Sequence, residues 1–195
     1  MDEPLVLITG FGAFLDVDRN PSGLAALALE ADPPPGLRVV GRELPVELER
    51  AGAALEAAVA DCPRPPSWLL SLGVHRGDWF RPEGLARARL ASAKPDNAGR
   101  YAADLPPLGD RDLVPRVDPA RVAEILLECG AREARPSRDA GGYVCERTFY
   151  ANLVAADRGG VPGIFLHVPH LEHVSLEQQV AVLRRALPRF VATWR

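Results

Sequence analysis

Three runs of consecutive apolar residues limit what this chain can fold into. They are Leu5-Val6-Leu7-Ile8-Thr9, Trp68-Leu69-Leu70-Ser71-Leu72-Gly73-Val74 and Val161 to Pro169. A strand that is apolar at successive positions must be covered on both faces, as the strands of parallel sheets are. Helical patterns lie between these runs. Asn20-Pro21-Ser22 opens the first, with Asn20 suited to the N-cap and Pro21 to the first helical position. It runs through Leu29 and stops before Pro33-Pro34-Pro35. Glu47 to Cys62 predicts a second helix, with Leu48, Ala51, Leu55 and Val59 on one face. Pro119 to Cys129 predicts a third, closed by Gly130. Ser175 caps the last, with Leu176, Val180, Leu183, Leu187 and Val191 turned inward. Leu37 to Val46 alternates as a further strand, and shorter strands are expected over Leu85–Ala93 and Arg132–Pro136. The order is β-α-β-α-β, an excursion, then α-β-α-β-α. That order predicts an α/β domain with helices on both faces of a twisted sheet. The 195 residues suit a single domain, 1–195, with a sizeable core. A proline-broken, irregular excursion is expected at about 94–118: a turn over Lys94–Gly99, then a hairpin or flap.

Composition excludes several functions. The net charge of −3 gives no basic footprint for nucleic acid. No apolar run approaches the length of a membrane span. Asp2 and Glu3 stand where a secretory leader would be basic, so a cytoplasmic protein is expected. Cys62, Cys129 and Cys145 are an odd number without pair or metal spacing, which fits reduced thiols. Cys62 and Cys129 close helices and read as structural. His170 and His173 are three apart without a third ligand, so neither a metal nor a cofactor is expected.

One stretch carries chemistry. Ser137 to Tyr150 passes through Gly141-Gly142, which permit a left-handed turn, and reaches Cys145 as helical spacing begins. A cysteine in the first turn of a helix meets unpaired N–H groups and the positive dipole end, which favour a thiolate. A small buried, inert cysteine fits the same stretch equally well. His167, near a strand end, reads by itself as a core histidine, and Glu83 by itself as a solvated carboxylate. Together the three supply a nucleophile, a base and an orienting acid, whose order along a chain is immaterial.

Four blocks resemble the pyrrolidone-carboxylate peptidases, or pyroglutamyl peptidases I, a family of cytosolic cysteine exopeptidases. They are Thr9-Gly10-Phe11 with Phe14 and Asn20-Pro21-Ser22; Glu83 with Pro95-Asp96-Asn97-x-Gly99; Ala140-Gly141-x-Tyr143-Val144-Cys145; and Phe165-x-His167-Val168-Pro169. The resemblance implies a three-layer α/β/α sandwich with a mostly parallel sheet and a Cys145–His167–Glu83 triad. It further implies removal of an N-terminal pyroglutamyl residue from peptides through a thioester, and a homotetramer or homodimer. Phe11, Phe14 and Asn20 would belong to the lactam pocket, and Tyr143 and Val144 to the wall beside the nucleophile. Gly12-Ala13 stands in place of the family's Glu-Pro. Gly84-Leu85-Ala86-Arg87-Ala88 replaces Arg-Val-Ala-Ile-Asn, Ala93 an arginine, and Glu146 an asparagine. On this reading His167 and Cys145 form a thiolate–imidazolium pair, and the N–H of Cys145 and one near Gly141 or Gly142 hold the oxyanion. A non-catalytic pyroglutamyl-peptide binder and a cysteine amidase of another small lactam or acyl substrate are the alternatives.

Overall fold

The computed structural model describes residues 3–14 and 17–194. Five strands form one sheet in the order β2-β1-β3-β5-β4. They are β1 (Leu5–Phe11), β2 (Arg38–Leu44), β3 (Trp68–Val74), β4 (Arg81–Pro82) and β5 (Gly163–Val168). The first three and β5 are parallel, and β4 runs antiparallel to β5. Five helices cover the sheet: α1 (Pro21–Ala31), α2 (Ala51–Ala60), α3 (Pro119–Glu128), α4 (Val144–Gly159) and α5 (Leu176–Thr193). Among the described residues no helix is long and apolar enough to cross a membrane.

Side-chain alternation builds the two cores. Val6 and Ile8 of β1, Leu70 and Leu72 of β3, and Ile164, Leu166 and Val168 of β5 pack with residues of α1, α3 and α5. Leu5, Leu7, Leu69 and Phe165 pack on the other side with residues of α2 and α4. This is the three-layer α/β/α sandwich with a mixed, mostly parallel sheet that the sequence pattern and the resemblance imply. The caps are as expected: Asn20 accepts from Ser22 N at the start of α1, and Ser175 from Gln178 N at the start of α5.

Four expectations are corrected. β1 does not end at Thr9, because Gly10 and Phe11 pair in register with Glu43 and Leu44 of β2. α2 begins at Ala51 rather than Glu47; ahead of it, Leu48 N donates to the buried Asp96 carboxylate at 2.6 Å. Leu85–Ala93 is not a strand. Only Ala86 bridges to Leu113, while Arg87 N and Ala88 N donate to the carboxylates of Glu146 and Asp112 instead of a ladder. Arg132–Pro136 contributes only the bridge from Ala134 to Phe80, just before the two-residue β4. The excursion holds a single 3-10 turn, Ala102–Asp104, and the Asp96–Gly99 turn with Gly99 at φ +78°.

The chain leaves β1 for β2 on one side and β3 lies on the other, so the order reverses between β1 and β3. The carboxyl ends of these two strands make the crevice where open α/β sheets place ligands.

Candidate active site

Cys145 is the second residue of α4 and half-buried. Gly141 at φ +92° and Gly142 at φ +64° turn the chain sharply into that helix. Tyr143, at the N-cap, makes no side-chain cap; its hydroxyl donates to Pro95 O at 2.9 Å and ties the turn to the excursion. The carboxylate of Glu146 caps the turn instead, accepting from Gly142 N at 3.2 Å and Arg87 N at 2.7 Å.

His167 lies on β5, on the α2–α4 side of the sheet, beside Phe165 with ring centroids 4.9 Å apart. Its register partner on β4 is Arg81. The antiparallel pairing continues in Glu83 N donating to Phe165 O, which turns the Glu83 side chain onto the imidazole. Glu83 is fully buried, contrary to its reading as a solvated side chain, and its Oε1 lies 2.8 Å from His167 Nδ1. Oε1 also accepts from Arg81 Nε at 2.7 Å. An ionised carboxylate only accepts, so Nδ1 carries the hydrogen and Nε2 is left with the lone pair.

Cys145, His167, Arg81 and Tyr143 line one cleft of about 590 Å³. Opening from it is a narrow apolar slot of about 20 Å³, lined by Phe11, Phe14, Asn20, Val46, Val74, Tyr143, Val144 and Cys145. All five residues expected in the pocket meet there. Asn20 also holds the backbone, accepting from Ser22 and donating to Gly12 O at 2.9 Å. Gly73 makes room for the Cys145 sulfur: a Cβ there would stand 3.0 Å from Cys145 Sγ and 2.7 Å from Phe165 Cζ.

The electrostatics favour a neutral resting site. Burial pushes the Cys145 thiol up, helped by the charge of Glu83, to about 12, despite the opposing charge of Arg81. Burial likewise lowers His167, against the pull of Glu83. Burial would raise Glu83, but the hydrogen bond and charge of His167, with Arg81, hold it below the usual carboxylate range. Desolvation thus opposes the resting thiolate that the helix terminus would favour. The oxyanion expectation changes too. Gly141 N donates to Asp139 Oδ1 at 3.0 Å and Gly142 N to Glu146, so neither glycine is available. The N–H groups at the start of α4 remain, since a helix leaves its first four without intrahelical partners.

Other residues escape a sequence reading. Arg81 shares a strand face with Glu83, two residues on, and that spacing is the signal that predicts their contact. Glu146, at the third helical position, is where a carboxylate reaches back to cap. Arg87 and Asp139 pair at 2.7 Å across the loops and carry no local signal. His75 sits beside the site, its Nε2 donating to Trp79 O at 2.6 Å and its Nδ1 accepting from Gly77 N. Burial lowers it to about 4. His170 accepts from Glu172 N and His173 meets Arg76 O.

Sandwich and cleft together define a hydrolase of the cysteine-peptidase class. The sequence profile of the pyroglutamyl peptidases matches residues 5–188, and the chain belongs to that family. Pyrrolidone-carboxylate peptidases of Saccharolobus islandicus and Streptomyces coelicolor are 32% and 34% identical to it, each over 84% of this chain and 78% and 77% of their own. The crystal structure of Bacillus amyloliquefaciens pyroglutamyl peptidase I superposes with a TM-score of 0.85 at 25% identity, covering 97% of this chain and 98% of that one.

Proposed function

We propose that Cys145, His167 and Glu83 hydrolyse the amide bond that follows an N-terminal pyroglutamyl residue. His167 Nε2 takes the thiol proton as sulfur attacks the carbonyl carbon. Because burial disfavours separated charges here, transfer accompanies attack rather than preceding it. The N–H groups at the start of α4 meet the oxyanion, each such donor being worth about 10²–10³ in rate. Collapse breaks the C–N bond, and the imidazolium gives its proton to the leaving amine. Water, deprotonated by His167, then splits the thioester and releases pyroglutamate. Glu83 holds the imidazole tautomer throughout and balances its transient charge.

The observation that carries this reading is the junction of cleft and slot: Cys145 lines both, His167 the cleft, Phe11 and Phe14 the slot or its mouth. The apolar lining suits a neutral lactam seated where the narrow slot widens into the cleft. A free ammonium there would lose its water without a partner, at a cost of several kcal/mol. Residues 1–195 act as one domain and need no cofactor. The three free cysteines and net charge of −3 support a cytoplasmic enzyme of peptides, not of nucleic acid or membrane; membership of the family supports a homotetramer or homodimer.

Hydrolysis of a pyroglutamyl-coumarin amide tests the assignment. Wild type should turn it over and spare alanyl and glutaminyl amides, and Cys145→Ala should lose on the order of 10⁴-fold or more. Full activity in Cys145→Ala would reject the nucleophile. Hydrolysis of ordinary acyl amides alone would make the chain a cysteine amidase, and tight binding of a pyroglutamyl peptide without turnover would make it a binder. Sedimentation equilibrium reads the assembly.

A further inference from the structure

Arg81 joins two parts of the site that come from distant segments. Its Nε donates to Glu83 Oε1 at 2.7 Å, and its Nη2 donates to Asp139 O at 3.0 Å while lying 3.3 Å from His167 Nδ1. Nδ1 bears the hydrogen given to Glu83, so this last approach is electrostatic and not a hydrogen bond. Asp139 in turn anchors the glycine turn before Cys145 through Gly141 N, and Arg87 clamps it from the other side. The guanidinium is about one-quarter exposed and forms part of the cleft wall shared with Cys145 and His167.

We propose that Arg81 is a positioning residue: its fork fastens the loop that delivers Cys145 to the Glu83–His167 pair, and sets a fixed positive charge beside both. The proposal rests on the catalytic reading above. A planar fork can serve a carboxylate and a carbonyl at once, which an ammonium on a flexible stem does poorly. Of the groups facing His167, Glu83 and Arg81 come from β4 and its end, His75 from the loop after β3, Asp139 from the loop before α4 and Cys145 from α4. Arg76 and Lys94 line the same cleft, but among the described residues Arg81 is the cation whose charge acts on both groups: it opposes protonation of the imidazole while favouring the thiolate.

Arg81→Gln and Arg81→Lys test this, with melting temperature followed alongside. In Arg81→Gln, kcat should fall about 10- to 100-fold with KM within about twofold, because the slot is untouched. The acid limb of kcat/KM should move to higher pH, since His167 then protonates more readily. Alkylation of Cys145 by iodoacetamide at pH 8, read on its own peptide by mass spectrometry, should slow several-fold. Arg81→Lys should keep the wild-type acid limb, because the charge remains, while kcat still drops because the fork is gone. An acid limb and an alkylation rate in Arg81→Gln equal to wild type would overturn the proposal. If Arg81→Gln does not fold, Arg81→Lys decides, and wild-type kcat in it would overturn the proposal. Alkylation involves no substrate, so a wrong pyroglutamyl assignment would leave that readout intact. Normal turnover in Arg81→Gln would reject Arg81 and spare the assignment.

Discussion

On the side of α1, α3 and α5, strand β5 presents Ile164, Leu166 and Val168; on the side of α2 and α4, the same strand presents Phe165 and then His167. The neighbouring strands show the same division. β3 sends Trp68, Leu70 and Leu72 one way, and Leu69, Ser71 and Gly73 the other. β1 gives Val6 and Ile8 to the first face, and Leu5, Leu7 and then Thr9 to the second. The first face is hydrocarbon along its length. The second is hydrocarbon interrupted at mid-strand, where Thr9, Ser71 and Asn152 form a buried hydrogen-bonded chain, and on β5 it ends in His167. Both faces supply cohesion, and the second gives up part of its hydrocarbon for chemistry.

This division can be broken experimentally. Leu183, fully buried under the first face, is expected to cost about 2–5 kcal/mol when changed to alanine. Urea denaturation should show that loss while kcat stays at wild type, and a parallel fall in kcat would mean the faces are not separable. Gly73→Ala crowds Phe165 and Cys145. It should cost about 1–3 kcal/mol and, unlike Leu183→Ala, lower kcat as well; unchanged kcat would show that the sulfur has room to move. Ser71→Ala removes the middle of the polar chain and should cost about 1–3 kcal/mol, through the unpaired Thr9 and Asn152 it leaves, with activity largely kept.

The smallest effect is the most diagnostic of the polar face. His75 is held down to about 4 from 6.5, and His167 is also lowered, so folding favours their neutral forms. Their contribution is complete above pH 6.5 and drains away as pH falls below it. Glu83 is depressed below its ordinary 4.5, so its contribution is present above that value and is lost on further acidification. Melting temperature should fall from pH 6.5 toward 4, and His75→Gln should flatten the slope. An equal slope in that variant would show that His75 stays solvated.

Where the sequence was readable, the reason is local. Consecutive apolar residues in β1, β3 and β5, the Asn20-Pro21 start and the Ser175 cap each determine their own conformation within a few residues. The meeting of Cys145, Tyr143, Val144, Phe11 and Phe14 around one slot came from motif resemblance, because nothing in any single segment encodes it. β4 was invisible: two residues, one of them proline, have no period to detect. Leu85–Ala93 misled because its apolar alternation is real, yet its backbone donors answer to Glu146 and Asp112, one of them nearly sixty residues away. The forces on the resting charge are hidden from the sequence for the same reason, since burial around Cys145 is a property of the assembled fold.

The brevity of β4 has a consequence for life in a crowded solution. A sheet ending on β5 would offer six residues of open ladder to any extended chain drifting past. The antiparallel pair Arg81–Pro82, with Glu83 N bonded to Phe165 O, covers the carboxyl half of that margin, proline has no N–H to donate outward, and the bridges from Phe80 to Ala134 and from Glu83 to Ser137 cover β4 in turn. The tiny strand that brings the acid to its histidine thus also denies that half of the border to strand-adding neighbours and to the first step of fibril growth.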